Sequence, residues 1–205
     1  MQSFLIEQFP EAIEVNGEIL SVNSDFCVGL QIMSDFENPE FDQSEKAYLM
    51  LNRLYKDLPE DRDADFYEEA LKKATKFLNA GDDSTRDVEG KPRLYSFGKD
   101  ARLIYSAFSQ THGVDLQTAE IHWWRFMALF LDLGANTSFS SMVSLRKRYY
   151  ENKLSDEEKT LVAEMGDDFL GGLGEQEEVL DEDEIAFVNM LPEEDKQRFL
   201  ESRKR

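Results

Sequence analysis

Ile121-His122-Trp123-Trp124-Arg125-Phe126-Met127-Ala128-Leu129-Phe130-Leu131-Asp132-Leu133 holds both tryptophans of the chain and its densest apolar run. At helical spacing Ile121, Trp124, Ala128 and Leu131 share one face, and Trp123, Met127 and Phe130 share the next. Only a narrow stripe of His122, Arg125 and Asp132 stays polar. A helix apolar on so much of its circumference must be enclosed on several sides. Ile121, Trp123, Trp124, Phe126, Met127, Phe130 and Leu131 are therefore the expected core. The run is too short, and too interrupted by charge, to read as a membrane span.

Working outward, the neighbouring segments are helical as well. Phe97 to Thr111 places Ala101, Ile104, Tyr105 and Phe108 on one side and closes at His112-Gly113. Gly134 ends the tryptophan helix, and Thr137 or Ser138 starts another carrying Phe139, Met142, Val143 and Leu145. Earlier in the chain, Ser24 or Asp25 can cap a helix with Phe26, Leu30 and Met33. A second helix runs from about Ser44 to Lys56 through Ala47, Leu51, Leu54 and Tyr55. A third runs from Asp63 to Ala80, with Phe66, Ala70, Ala74, Phe77 and Leu78 on one side. Ser155-Asp156-Glu157-Glu158 spells a capping box ahead of Leu161, Val162 and Met165. At the N-terminal end, Asn16-Gly17 between Ile13, Val15 and Ile19 marks a β-hairpin. Such a hairpin needs a helical surface, or a neighbouring subunit, to rest on.

The predicted fold is mainly α, a bundle of six or seven helices with a short N-terminal β-hairpin and an acidic C-terminal appendage. Residues 1–80 form the hairpin and first helices, and 81–94 a mobile charged loop. Residues 95–170 form the tryptophan-containing part of the same domain, and 171–205 an acidic tether with a short terminal helix. Asp82, Asp83, Asp87 and Glu89 in the loop do not follow the ligand spacing of an EF-hand.

Composition bounds the function classes. Forty-three acidic against 23 basic residues give a net charge of −20. That charge repels nucleic-acid phosphates and forfeits counterion release, so no nucleic-acid partner is expected; solubility or a basic partner suits it better. Cys27 is the single cysteine, which excludes an intrachain disulfide and reads as a buried apolar side chain. Met1 to Pro10 has no basic leader, so no secretion and no membrane association are expected. His112, His122 and Cys27 are scattered, the carboxylates form no distinctive pair, and Gly171-Gly172-Leu173-Gly174 lacks the lysine of a phosphate loop. No catalytic residues, metal or cofactor are expected.

The succession Tyr95-Ser96-Phe97, Asp100, Ile104-Tyr105-Ser106-Ala107-Phe108, Gly113-Val114-Asp115-Leu116, Ile121 through Leu129, Phe139 and Ser144-Leu145-Arg146 resembles the tail assembly chaperones of siphophages and prophages of Gram-positive bacteria. The likeness is strongest from Tyr95 to Tyr150 and extends to Ile13 through Phe36. Trp123, Trp124, Phe126 and Leu129 match the family's apolar pattern, and Asp115, His122 and Arg125 its polar one. The resemblance implies a gene between those of the tail tube and the tape measure, and a non-catalytic product. That product would keep the tape measure protein soluble until the tube polymerises around it. It further implies self-association, a possible contact with the tail tube protein, a place in the host bacterial cytoplasm and absence from the finished virion. A structural virion component joining tail or capsid parts is the alternative.

Beyond about Asp168 the likeness ends. Glu175, Glu177, Glu178, Asp181, Glu182, Asp183 and Glu184 crowd seven carboxylates into ten residues, followed by an apolar patch that includes Phe187 and Leu191. This charged tether with an apolar end is a candidate partner-binding segment. Arg146, Lys147 and Arg148, the densest basic cluster before it, either neutralise a helix end or meet a carboxylate-rich partner surface.

Overall fold

The computed structural model describes residues 4–82, 92–170 and 173. The hairpin is built from β1 (Ala12–Val15) and β2 (Glu18–Ser21), paired antiparallel with Val15 opposite Glu18. Asn16 and Gly17 both take positive φ, 49° and 85°, as a two-residue turn matched to strand twist requires. Val15, Leu20 and the following Val22 are buried, and β1 rests on the third helix. Ile19 pairs with Glu14 and is 78% exposed. It belongs to the outer face, a correction to the apolar alternation expected of it: Leu20 is the inward residue, because faces alternate along a strand.

Eight helices follow among the described residues: α1 (Phe26–Glu37), α2 (Gln43–Leu54), α3 (Ala64–Leu78), α4 (Ala101–His112), α5 (Trp123–Leu131), α6 (Ser138–Tyr150), α7 (Asp156–Met165) and the four-residue α8 (Asp167–Leu170). Their starts follow local chemistry. Asp25, Asp42, Asp63, Thr137 and Ser155 each accept a backbone N–H of the first turn through a side-chain oxygen. Asp42 and Ser155 complete reciprocal capping boxes with Glu45 and Glu158. Gly113 ends α4 in the left-handed region.

One aromatic core runs through the molecule. Phe126 is fully buried, with its ring centroid 4.9 Å from Phe108, 5.2 Å from Phe26 and 5.6 Å from Trp123. Phe130 continues the stack to Phe97, Tyr95 and Phe139. α1, α4 and α6 thereby meet around α5, and α3 closes one end. Ile121, Trp123, Trp124, Phe126 and Phe130 are buried, and Met127 is half-buried.

Four expectations are corrected. Leu131 is 64% exposed and Ala128 is exposed. α5 begins only at Trp123 with His122 as its cap, so its buried stripe follows 123, 126, 127 and 130, and the opposite side faces outward. Tyr105 is exposed, and Ala107 joins Ile104 and Phe108 inside. Cys27 is exposed, since the buried positions of α1 are Phe26, Gly29 and Ile32. Leu173 is buried, as is Phe169. Residues 83–91 of the charged loop, and 171, 172 and 174–205, lie outside the described residues. The calls on Glu175, Glu177, Glu178, Asp181, Glu182, Asp183, Glu184, Phe187 and Leu191 fall there.

Trp123 lies flat against α1 at Gly29, where an added Cβ would stand 2.1 Å from the indole Cε3. Alanine gains about 1 kcal/mol of helix propensity over glycine, but overpacking a core costs about 1–3 kcal/mol or more. Gly29→Ala should therefore lower stability, and a denaturation midpoint equal to or above that of the parent would show that the indole has room to move.

Candidate functional site

Two constellations organise the described chain. The first is the junction of α3 and α5. A helix leaves its last four carbonyls without intrahelical partners. At the end of α3 those of Phe77 and Leu78 are met by indoles: Trp124 Nε1 donates to Phe77 O at 2.8 Å and Trp123 Nε1 to Leu78 O at 2.9 Å. Ala80 and Gly81 then turn through positive φ, and Gly81 N–H donates to Lys76 O. A Cβ on Gly81 would come 2.8 Å from the Trp124 ring, so the chain passes close over that indole.

His122 sets the start of α5. Its Nδ1 accepts the Trp124 backbone N–H at 3.0 Å, which leaves the ring proton on Nε2 to donate to Pro10 O at 3.1 Å. An antiparallel bridge joins Asp25 to His122, with Trp123 N–H donating to Ser24 O and Phe26 N–H to Ile121 O. His112 Nε2 lies 2.9 Å from Leu129 O. Both histidines and Cys27 are thus far apart in role, and no group of three or more His, Cys, Asp or Glu among the described residues could hold a metal ion.

The second constellation is ionic. Arg146 is 3% exposed and Asp100 4%. The guanidinium grips the carboxylate with two bonds of 2.7 and 3.0 Å, donates through Nε to Phe169 O and through Nη1 to Leu94 O. Asp100 Oδ2 also accepts the Ser96 N–H. This corrects the assignment of Arg146 to partner binding: its donors are spent on α4, α8 and the segment before α4. The signal was in the sequence. Arg146 stands seven residues after Phe139 and three after Val143, on the apolar stripe of α6. Lys147 and Arg148 point elsewhere, Lys147 being 63% exposed beside Glu151 while Arg148 bonds Glu158. The Ser155 N–H first, and then Arg148, hold the Glu158 carboxyl below its ordinary range.

Glu37, at the end of α1, carries a role that sequence reading missed. Its carboxylate accepts the Phe97 and Gly98 N–H groups and the Ser96 hydroxyl, and pairs with Arg93. It closes the turn before α4 across some sixty residues, and no local pattern announces that.

Charge is divided along the sequence. Residues 93–153 carry eight Lys or Arg against five Asp or Glu, a balance of +3 within a chain of −20. A shallow hollow beside α2 is lined by Phe41, Tyr48 and Leu49 with Asp42 and Glu45 at its rim. A second, between α6 and α7, is lined by Tyr149, Tyr150, Asn152, Leu154 and Lys159. No described helix is long and apolar enough to cross a membrane.

Breaking the buried pair from one side should cost about 3–5 kcal/mol, since the other charge is left without compensation. Asp100→Ala is expected to show that loss by chemical denaturation. Asp100→Leu combined with Arg146→Met should recover much of it, and equal losses in the single and double variants would locate the cost in shape rather than charge.

No curated protein and no solved structure matches the chain. A family model described as Bacteriophage Gp15 protein matches residues 5–169, from before the hairpin to α8. The match indicates a non-enzymatic, phage tail-associated protein with a general chaperone-like role. With both constellations inside the matched span, the chain belongs to the Bacteriophage Gp15 protein family.

Proposed function

We propose that the protein is a tail assembly chaperone that binds the tape measure protein and keeps it soluble in the host bacterial cytoplasm before tail tube polymerisation. The observation that carries this reading is the family match across residues 5–169, joined to the tape-measure role that the sequence resemblance implies. The surface is compatible with it. A long helix waiting for its tube exposes an apolar stripe prone to aggregation, and an apolar groove can cover such a stripe. The hollow of Phe41, Tyr48 and Leu49 suits this task, with the Asp42 and Glu45 carboxylates placed to meet lysines or arginines flanking the stripe. Tyr48 is 66% exposed, a large apolar ring left at the surface.

Tyr48→Asp removes that ring at little cost to the fold, since exposed substitutions usually stay within about 0.5 kcal/mol. Coexpressed tape measure protein should be soluble with the parent chain and shift to the pellet with the variant. Equal solubility with both, or with neither, counts against this hollow as the binding surface. Mass spectrometry of purified virions should find the protein nearly absent; stoichiometric recovery would instead make it a structural component joining tail or capsid parts.

Many copies per tape would shield its stripe better than one, so self-association belongs to the same proposal, with a passing contact to the tail tube protein at hand-over. Light scattering across a concentration series, with and without tape measure peptide, should show mass rising above the monomer, and a constant monomer would remove that element.

A further inference from the structure

The segment ahead of the hairpin lies across the start of α5. Phe4 stacks on Trp124 with ring centroids 6.1 Å apart and planes 7° from parallel. Phe9 stands 4.9 Å from Phe4, 5.0 Å from the His122 ring and 6.1 Å from Trp124. Beneath them Phe77 packs against the same two partners, 5.9 Å from Trp124 and 5.8 Å from His122. Three rings, one from α3 and two from the start of α5, thus make a shelf, and two phenylalanines of the preceding chain occupy it.

Ring contacts hold this segment down. Among the described residues, its hydrogen bonds to the domain begin only at Pro10, whose carbonyl accepts the His122 Nε2 proton, and Glu11, whose carbonyl accepts the Val22 N–H. Phe4 is 41% exposed, Leu5 95% and Ile6 86%, and Glu7 and Gln8 are exposed as well. Lifting residues 4–9 therefore gives up the contacts of two rings and breaks no backbone ladder, the condition for opening far more easily than the helices unfold. The shelf has its own support: Trp124 Nε1 donates to Phe77 O, and His122 Nδ1 accepts the Trp124 N–H. Bonds that do not involve the strap thus keep the site in shape, and a preorganised site loses little on being filled.

We propose that residues 4–9 are a releasable strap, and that the shelf of Trp124, Phe77 and His122 is a site for a phenylalanine-bearing apolar segment, filled by the chain's own Phe4 and Phe9 while the strap is down. The rings meet offset or tilted, the arrangements that aromatic quadrupoles favour. Phe4-Leu5-Ile6 displays the chemistry the site accepts, an aromatic ring seated on the indole with aliphatic neighbours outside it. A segment of like chemistry on another molecule competes with a tethered occupant, which makes the strap an autoinhibitory cover. The inference is independent of which tail protein the chain binds.

A glutamate-specific protease acting on the full chain, followed site by site by mass spectrometry, tests the release. Cleavage after Glu7 should run at least tenfold faster than cleavage after Glu68 in α3, with the helical signal unchanged. Phe4→Ser, a change at a half-exposed position outside every helix and strand, should speed cleavage after Glu7 several-fold and raise acrylamide quenching of the tryptophans. A peptide of residues 4–10 added in excess to that variant should return the quenching toward the parent level. Cleavage after Glu7 no faster than after Glu68 would make the segment part of the cooperative fold and overturn the proposal. Cleavage and quenching unaltered by Phe4→Ser would do the same, since the ring would then not be what holds the strap, and so would quenching that the peptide leaves unchanged.

Discussion

Two indole N–H groups meeting the last carbonyls of α3 hold the rest of the molecule in register. Each tryptophan buries on the order of 200 Å², worth about 5 kcal/mol at 25 cal/mol per Å², whereas a hydrogen bond contributes about 1 kcal/mol net. Burial therefore drives the tryptophans inward and the bonds decide how they lie. With Nε1 of Trp123 and Trp124 fixed on Leu78 O and Phe77 O, one indole must lie on Gly29 of α1 and the other beneath Gly81. Helices α1, α3 and α5 are then placed by two adjacent side chains. The Phe126 and Phe130 rings carry that placement on to α4 and α6.

Arg146 and Asp100 hold the opposite end, by different physics. The tryptophans gain energy from leaving water, while the ion pair gives up hydration and regains it only if every donor and acceptor is matched. Here the guanidinium serves one carboxylate and two carbonyls, and one of those carbonyls belongs to Phe169 in α8. The pair thereby defines where the C-terminal part of the domain docks.

The chain stands at −20, yet residues 93–153 carry a balance of +3. Residues 1–82 and 154–205 carry the acid, so the charge is divided along the sequence.

The amino-acid sequence by itself determined the helical class, the Asn16-Gly17 turn, the capping boxes and the inward face of α3, because each depends on residues within a turn or two of one another. It also pointed to the tryptophan helix as the centre, since so dense an apolar run has few places to go. A phage tail-associated family was visible in the same stretch. What only the tertiary structure decided is which side of that helix faces out. Leu131 and Ala128 are apolar by sequence but lie opposite the stripe that α1 and α4 cover, and periodicity cannot rank the faces of a helix apolar nearly all round. Ile19, Tyr105 and Cys27 came out exposed for a similar reason, as neighbouring residues filled the inward positions. Glu37 could not be assigned from local pattern at all, because its partners lie about sixty residues away. Arg146 stood on an apolar stripe in plain view, yet only the fold brought Asp100 and two carbonyls within reach and turned a candidate surface cation into a buried strut.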